Sequence, residues 1–121
     1  MNRHKLLVVD DDIDIRETMI EVLEENGCEV VGAANGLQAL GYLKHTDRQP
    51  CLILLDLMMP VMDGEAFREA QLNDPALSNI PVVVVSAYRD VQERAEKLQM
   101  KNFIKKPVTI QELITAVEQL C

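Results

Sequence analysis

At 121 residues, 48% hydrophobic and 26% charged, the chain has the composition of a single globular domain, 1–121, with a real core and no room for a second. Its formal charge of −8 excludes a surface built to neutralise phosphates, so no nucleic-acid partner is expected. No apolar run approaches the roughly 20 residues that cross a bilayer, and the LLVV after basic MNRHK is too short for a signal-peptide core, so a cytoplasmic protein with no membrane partner is expected.

The first short apolar run, LLVV (6–9), leads straight into Asp10, Asp11, Asp12 and Asp14, carboxylates crowded enough to repel one another unless a cation or a helix end uses them. Ile15, Met19 and Leu23 then recur at helical spacing, and Gly27 stands where a left-handed cap would end that helix. A weaker run, EVVGAA (29–34), precedes Asn35 and Gln38, a loose capping pair. CLILL (51–55) ends on Asp56 in DLMMPVMDG. VVVV (82–85) ends on Ser86, with Asp90 and Glu93 at capping-box spacing beyond it. NFI (102–104) is followed by Lys105-Lys106-Pro107. Thr109 with Glu112 then opens a last helix carrying Leu113, Val117 and Leu120.

Short apolar runs without alternation suit strands buried on both faces, and five strands alternating with helices predict an α/β domain with a parallel sheet and right-handed crossovers. In such a sheet ligands bind outside the carboxyl ends of the strands, where the strand order reverses. If the first and third strands flank that point, Asp10, Asp11 and Asp56 converge there, with Ser86 and Lys106 on the same rim. Hard oxygen ligands of this kind suit Mg²⁺, with Asp56 as a nucleophile towards phosphorus, Lys106 balancing charge and the Ser86 hydroxyl bonding a phosphoryl oxygen.

Each signal has a plainer reading alone. Asp12 or Asp14 can be a helix N-cap, a lone Ser a turn residue and a lone Lys a solvated one. Met58, Met59 and Met62 read as packing. His4 and His45, without metal-ligand spacing, read as surface residues. Cys28, Cys51 and Cys121, odd in number and widely spaced without CxxC, predict reduced thiols, neither a disulfide framework nor a zinc site.

VVDDD, DLMMPVMDG, VSA and KKP, in that order over the whole chain, resemble the receiver domain of bacterial response regulators of the chemotaxis CheY type. The resemblance implies a single (βα)5 doubly wound, flavodoxin-like domain with strand order 2-1-3-4-5. It implies Asp56 as phosphoacceptor and Mg²⁺ held by Asp10, Asp11, Asp56 and the Met58 backbone carbonyl. It also implies Ser86 as the responding hydroxyl, Lys106 as the essential lysine, Phe103 as the switch aromatic, and a cis Lys106–Pro107 bond. The implied function is a phosphorelay switch, not an enzyme with a separate substrate, phosphorylated by a sensor histidine kinase or a histidine phosphotransfer protein. It stands alone or is cut from a larger regulator or hybrid kinase. The chain departs from the usual pattern at Gln99-Met100, where receivers commonly carry Gly-Ala, so Met100 must find space under the fourth helix. Met58 and Tyr88, two residues beyond Asp56 and Ser86, are expected to border the phosphoryl group and slow its loss to water.

Three rivals are weaker. Asp10, Asp12, Asp14 and Glu21 fit positions 1, 3, 5 and 12 of a calcium loop, but Ile15 occupies the position that needs Gly. Asp10-x-Asp12 after a strand is similar to the haloacid dehalogenase phosphatases, which would make Asp10 the nucleophile. An adaptor of this fold that never uses phosphorylation would have no need of the Asp, Ser and Lys set. Charge is also uneven: residues 86–108 hold six bases against three acids. Arg94, Lys97, Lys101 and Lys105 there predict a face of the fourth helix, fifth strand and fifth helix that docks an acidic target or a second copy.

Overall fold

The computed structural model describes residues 3–87, 89, 91–100 and 102–121. Among them the elements alternate as β1 (Lys5–Val9), α1 (Ile13–Glu25), β2 (Glu29–Ala33), α2 (Gly36–His45), β3 (Leu52–Leu55), α3 (Gly64–Leu72), β4 (Val82–Ser86), α4 (Val91–Lys97), β5 (Asn102–Lys105) and α5 (Ile110–Leu120). All strand pairings are parallel, in the order β2-β1-β3-β4-β5. This is the parallel α/β sheet that the alternating runs predict, in the flavodoxin-like (βα)5 order that the resemblance implies.

Side chains alternate across the sheet, so each apolar run serves two cores. Leu7, Val9, Ile53, Leu55, Val82 and Val84 pack with α2, α3 and α4, around the fully buried Phe67. Leu6, Val8, Leu52, Leu54, Val83 and Val85 pack with Met19 and Leu23 of α1 and with Leu113 and Val117 of α5. Helices α1 and α2 therefore lie on opposite faces, which opens the crevice at the carboxyl ends of β1 and β3. Met100 does find space: it is buried in the α2–α4 core.

The helix ends follow the sequence. Asp12 caps α1, accepting from the Asp14 and Ile15 amides, and Gly27 follows with φ 90°. The Asn35 side chain accepts from the Gln38 amide, while Gln38 Oε1 reaches back to the Ala34 amide. Thr109 and Glu112 form a full capping box. The expected Asp90 cap lies outside the described residues, as do Tyr88 and Lys101.

One expectation is overturned. Cys51 and Cys121 are joined in a disulfide, with Cα atoms 5.2 Å apart, and only Cys28 is a free, buried thiol. Their separation of 70 positions in sequence conceals that the start of β3 and the end of α5 meet at the amino-terminal edge of the sheet.

The loop from β3 to α3 is tight for a physical reason. A Cβ on Gly64 would lie 2.6 Å from the Asp56 carbonyl oxygen and 2.7 Å from the Leu57 Cα, so only glycine lets α3 start against the end of β3. Val61, with φ 69°, turns the chain between the Pro60 carbonyl and the Met62 amide that donates to it. A β-branched residue is strained in that region. Gly64→Ala is expected to lower stability by about 2 kcal/mol, whereas exposed Val61→Gly should raise it by about 1 kcal/mol. Urea unfolding of both variants checks this, and equal shifts of the same sign would contradict the geometry.

Candidate functional site

Register builds the site. Val9 pairs with Leu55, and the Asp56 amide donates to the Val9 carbonyl at 2.9 Å, so Asp10 and Asp56 leave neighbouring strands side by side. The Asp10 amide is held by the Ala33 carbonyl on the other side. Asp10, Asp11 and Asp56 bring carboxylate oxygens within 4.8 Å of one another. Asp10 and Asp56 are buried and Asp11 is exposed. On the far side of the rim Ser86 ends β4, buried, and its carbonyl accepts from the Lys106 amide at 2.8 Å. The Lys106–Pro107 bond is cis.

Lys106 spans the two buried acids. Its Nζ lies 3.0 Å from Asp10 Oδ2 and 3.4 Å from Asp56 Oδ2. The remaining oxygens accept from the chain: Asp10 Oδ1 from the Asp12 amide at 2.9 Å, and Asp56 Oδ1 from the Met58 amide at 3.2 Å. Met58 itself is 56% exposed, at the lip of the crevice. Arg16 Nη1 donates to the Asp10 carbonyl at 2.8 Å, a contact sequence reading did not single out although Arg16 stands only six positions after Asp10, in the first turn of α1.

One lysine does not neutralise two buried carboxylates and a third beside them. Burial and the Asp10 charge push the Asp56 pKa up to about 6, against the opposing pull of Lys106 and the Met58 amide. Burial alone would lower Lys106, but its hydrogen bond to Asp10 and the charges of Asp56 and Asp10 outweigh it and raise the pKa. The site as built is short of positive charge.

That deficit fits a small hard cation. The donor set is all oxygen, and two oxygens on opposite sides of a Mg²⁺ ion stand roughly 4 Å apart, compatible with carboxylate oxygens that lie within 4.8 Å of one another. The calcium-loop reading fails, because Asp12 is spent as the α1 cap and Asp14 and Glu21 point to solvent from α1 after a strand.

Residues 6–118 match the response regulator receiver domain. The chain belongs to this family. The receiver is similar to sporulation initiation phosphotransferase F of Bacillus subtilis, at 37% identity over 98% of this chain and 94% of that protein. A probable transcriptional regulator, ycf27, of Porphyridium aerugineum is 34% identical over 93% of this chain, which spans only 46% of that relative. Chemotaxis response regulator CheY4 of Vibrio cholerae has a structure of TM-score 0.86 and 25% identity, covering 99% of this chain and 100% of its own. The receiver is thus a signalling switch of two-component systems, which sets aside the dehalogenase-type phosphatase.

The residues expected to act as the switch, Ser86 and Phe103, sit where the register sends them. Phe103 pairs with Val84, so its ring lies on the face shared by Val84 and Ser86, towards α4. It is 39% exposed and lines a groove of about 590 Å³ with Gln92, Glu96, Gln99 and Met100. The positive face is partly compensated, since Arg94 pairs with Glu65 of α3 at 3.5 Å. Sequence reading missed a buried polar tie behind α4. Arg68 donates to the Leu98 and Gln99 carbonyls and to Gln71 Oε1, and Gln71 donates in turn to the Leu77 and Ile80 carbonyls. The left-handed Gln99, φ 58°, is anchored by that tie.

The raised Asp56 pKa has a signed consequence for the metal-free receiver. Between about 3.8 and about 6 the folded state holds more protons than the unfolded one, so this carboxylate destabilises the fold above about pH 6 and not below about pH 3.8. With metal chelated, Asp56→Asn should therefore be more stable than wild type at pH 7.5 by on the order of 2–3 kcal/mol. The gap should close as pH falls through that window. Chemical denaturation across pH measures it, and a gap independent of pH would refute the electrostatic origin.

Proposed function

We propose that this receiver accepts a phosphoryl group on Asp56 from a histidine kinase or a histidine phosphotransfer protein. The reading is carried by one observation: the Asp56 carboxylate, at the switch point beside Asp10, shares the Lys106 ammonium with it. Attack by an Asp56 oxygen on phosphorus forms the acyl phosphate, and the donor imidazole leaves with the electron pair of the broken P–N bond and takes up a proton. Asp56 must be ionised to attack, and Lys106 holds it so while keeping its stronger contact with Asp10. Lys106 can then follow the new charge onto a phosphoryl oxygen without leaving Asp10. Mg²⁺ would be held by Asp10, Asp11, Asp56 and the Met58 carbonyl, and would supply the charge neutralisation that lets one dianion approach three carboxylates. The exposed Met58 side chain shields the crevice from attacking water.

The output follows from Ser86 and Phe103. A phosphoryl oxygen gives the Ser86 hydroxyl a charged acceptor, and a charge-assisted bond draws it towards Asp56. Space opens along the shared Val84–Ser86 face, and the Phe103 ring moves in from the groove under α4. The α4–β5–α5 face is thereby biased between two states. Lys97 and Lys105, with Arg94 when Glu65 releases it, give that face affinity for a target or second copy rich in carboxylates.

Incubation with a small phosphodonor and Mg²⁺ should add one acid-stable, base-labile acyl phosphate, abolished by Asp56→Asn and by chelation. Label that survives Asp56→Asn would move the nucleophile, with Asp10 the next suspect. Asp11→Ala should weaken Mg²⁺ binding about tenfold or more, read by titration, while Asp14→Ala leaves it unchanged; equal losses would disprove the assigned ligand set.

Ser86→Ala should keep acceptance while reducing the phosphorylation-dependent change on the α4–β5–α5 face, followed by amide hydrogen exchange with beryllofluoride as the phosphoryl mimic. A full response in Ser86→Ala would break the proposed route.

A further inference from the structure

At the opposite end of the sheet from Asp56 stands a second cluster of metal-ligating groups. His4 precedes β1, Cys51 precedes β3 and Cys121 follows α5, and one ligand atom from each lies within 4.8 Å of the other two. Their backbones are fixed by the fold. The His4 carbonyl accepts from the Glu29 amide at 2.8 Å, the Cys51 amide donates to the Lys5 carbonyl at 2.8 Å, and the Cys121 amide donates to the Val117 carbonyl at 3.0 Å. His4 is exposed and both cysteines are part-buried, so the cluster is open to solvent on one side.

The disulfide accounts for two members of the cluster but gives the imidazole nothing to do. A reduced pair of thiols with an imidazole beside them is different chemistry. Thiolate and imidazole together are soft and borderline donors, which select Zn²⁺-like cations over Mg²⁺, the reverse of the oxygen set at Asp56. Two thiolates and one neutral imidazole also balance a divalent charge, leaving a fourth position for water. The two sulfurs already meet, with Cα atoms 5.2 Å apart, so both thiols of the reduced pair stay beside the imidazole.

We propose that His4, Cys51 and Cys121, with the thiols reduced, form a binding site for one soft divalent cation of the zinc class. Disulfide and cation are then mutually exclusive occupants. A low-molecular-weight disulfide oxidises the pair by taking two electrons and two protons from the thiols, leaving as two thiols itself, and the new S–S bond removes both sulfur ligands. In either form the end of α5 is tied to the start of β3, so the site fixes the far end of one element of the α4–β5–α5 face.

The test uses the whole chain, reduced, freed of reductant under argon, and titrated with Co²⁺ as a spectroscopic probe in excess Mg²⁺. The expected result is one equivalent bound with a thiolate-to-cobalt charge-transfer band, displaced by Zn²⁺ and lacking in the oxidised protein. Cys51→Ser and Cys121→Ser should each remove most of the band, Cys28→Ser should leave it intact, and His4→Ala should weaken binding about tenfold or more. Circular dichroism with Mg²⁺ titration identifies a variant that has not folded, and the Cys121→Ser variant, at the end of α5, decides the matter if Cys51→Ser fails that control. No band in reduced wild type, a band kept by Cys121→Ser, or undiminished affinity in His4→Ala would overturn the site.

Discussion

Two carboxylates at the ends of neighbouring strands repel each other, and the receiver is organised around keeping them there. Asp10 and Asp56 are buried side by side by the pairing of β1 with β3, and Lys106 is a single charge for both. The mismatch appears as the elevated Asp56 pKa and disfavours the metal-free fold at neutral pH. It is also what makes the site useful. A crevice short of positive charge suits a hard cation, and in the proposed function it leaves its lysine able to respond when a phosphoryl group arrives. Stability given up at one point is thus linked to the function proposed there.

The rest of the molecule supports that geometry or carries its consequences away. Gly64 lets α3 begin directly against the Asp56 backbone, and Val61 accepts a strained turn so that the Met62 carbonyl can meet the Gly36 amide at 2.9 Å. Opposite, Ser86 and Phe103 share a face of the sheet through the β4–β5 register, giving a short path from the proposed acceptor to the groove. Arg68 holds the end of α4 by two carbonyls, a tie that pins the segment where this chain has Gln99-Met100. Polar groups at these points are satisfied throughout, since among the described residues no buried side-chain nitrogen or oxygen lacks a partner.

The sheet has two chemically distinct ends. Its carboxyl edge gathers oxygens, and its amino edge gathers sulfur and imidazole nitrogen. With the thiols reduced as proposed, the difference in donor softness would keep the two ends apart in cation preference, so that a thiophilic ion and Mg²⁺ would not compete for one site. The chain spans nearly all of sporulation initiation phosphotransferase F and about half of the ycf27 regulators it matches, so the receiver serves relatives of different length.

By itself the sequence determined the strands, the caps of α1, α2 and α5 and the residues at the strand ends. These depend on local composition: apolar runs bounded by acids, Thr109 spaced from Glu112, Gly27 after a helical stripe. They also carried the family likeness, because the acceptor motif is contiguous. Tertiary structure decided what depends on register and on meetings between distant segments. Only the pairing of Val9 with Leu55 sets Asp56 beside Asp10, and only the position of the β5 end brings Lys106 to both. Arg68 and Gln71, polar and three apart on a helix, carry no sequence signal of burial; the segment after α4 and the loop before β4 meet them only in the fold. Cys51 and Cys121 read as unrelated thiols for the same reason. Spacing along a chain fixes which groups share a helix turn or a strand face, but proximity across 70 residues is created by packing alone.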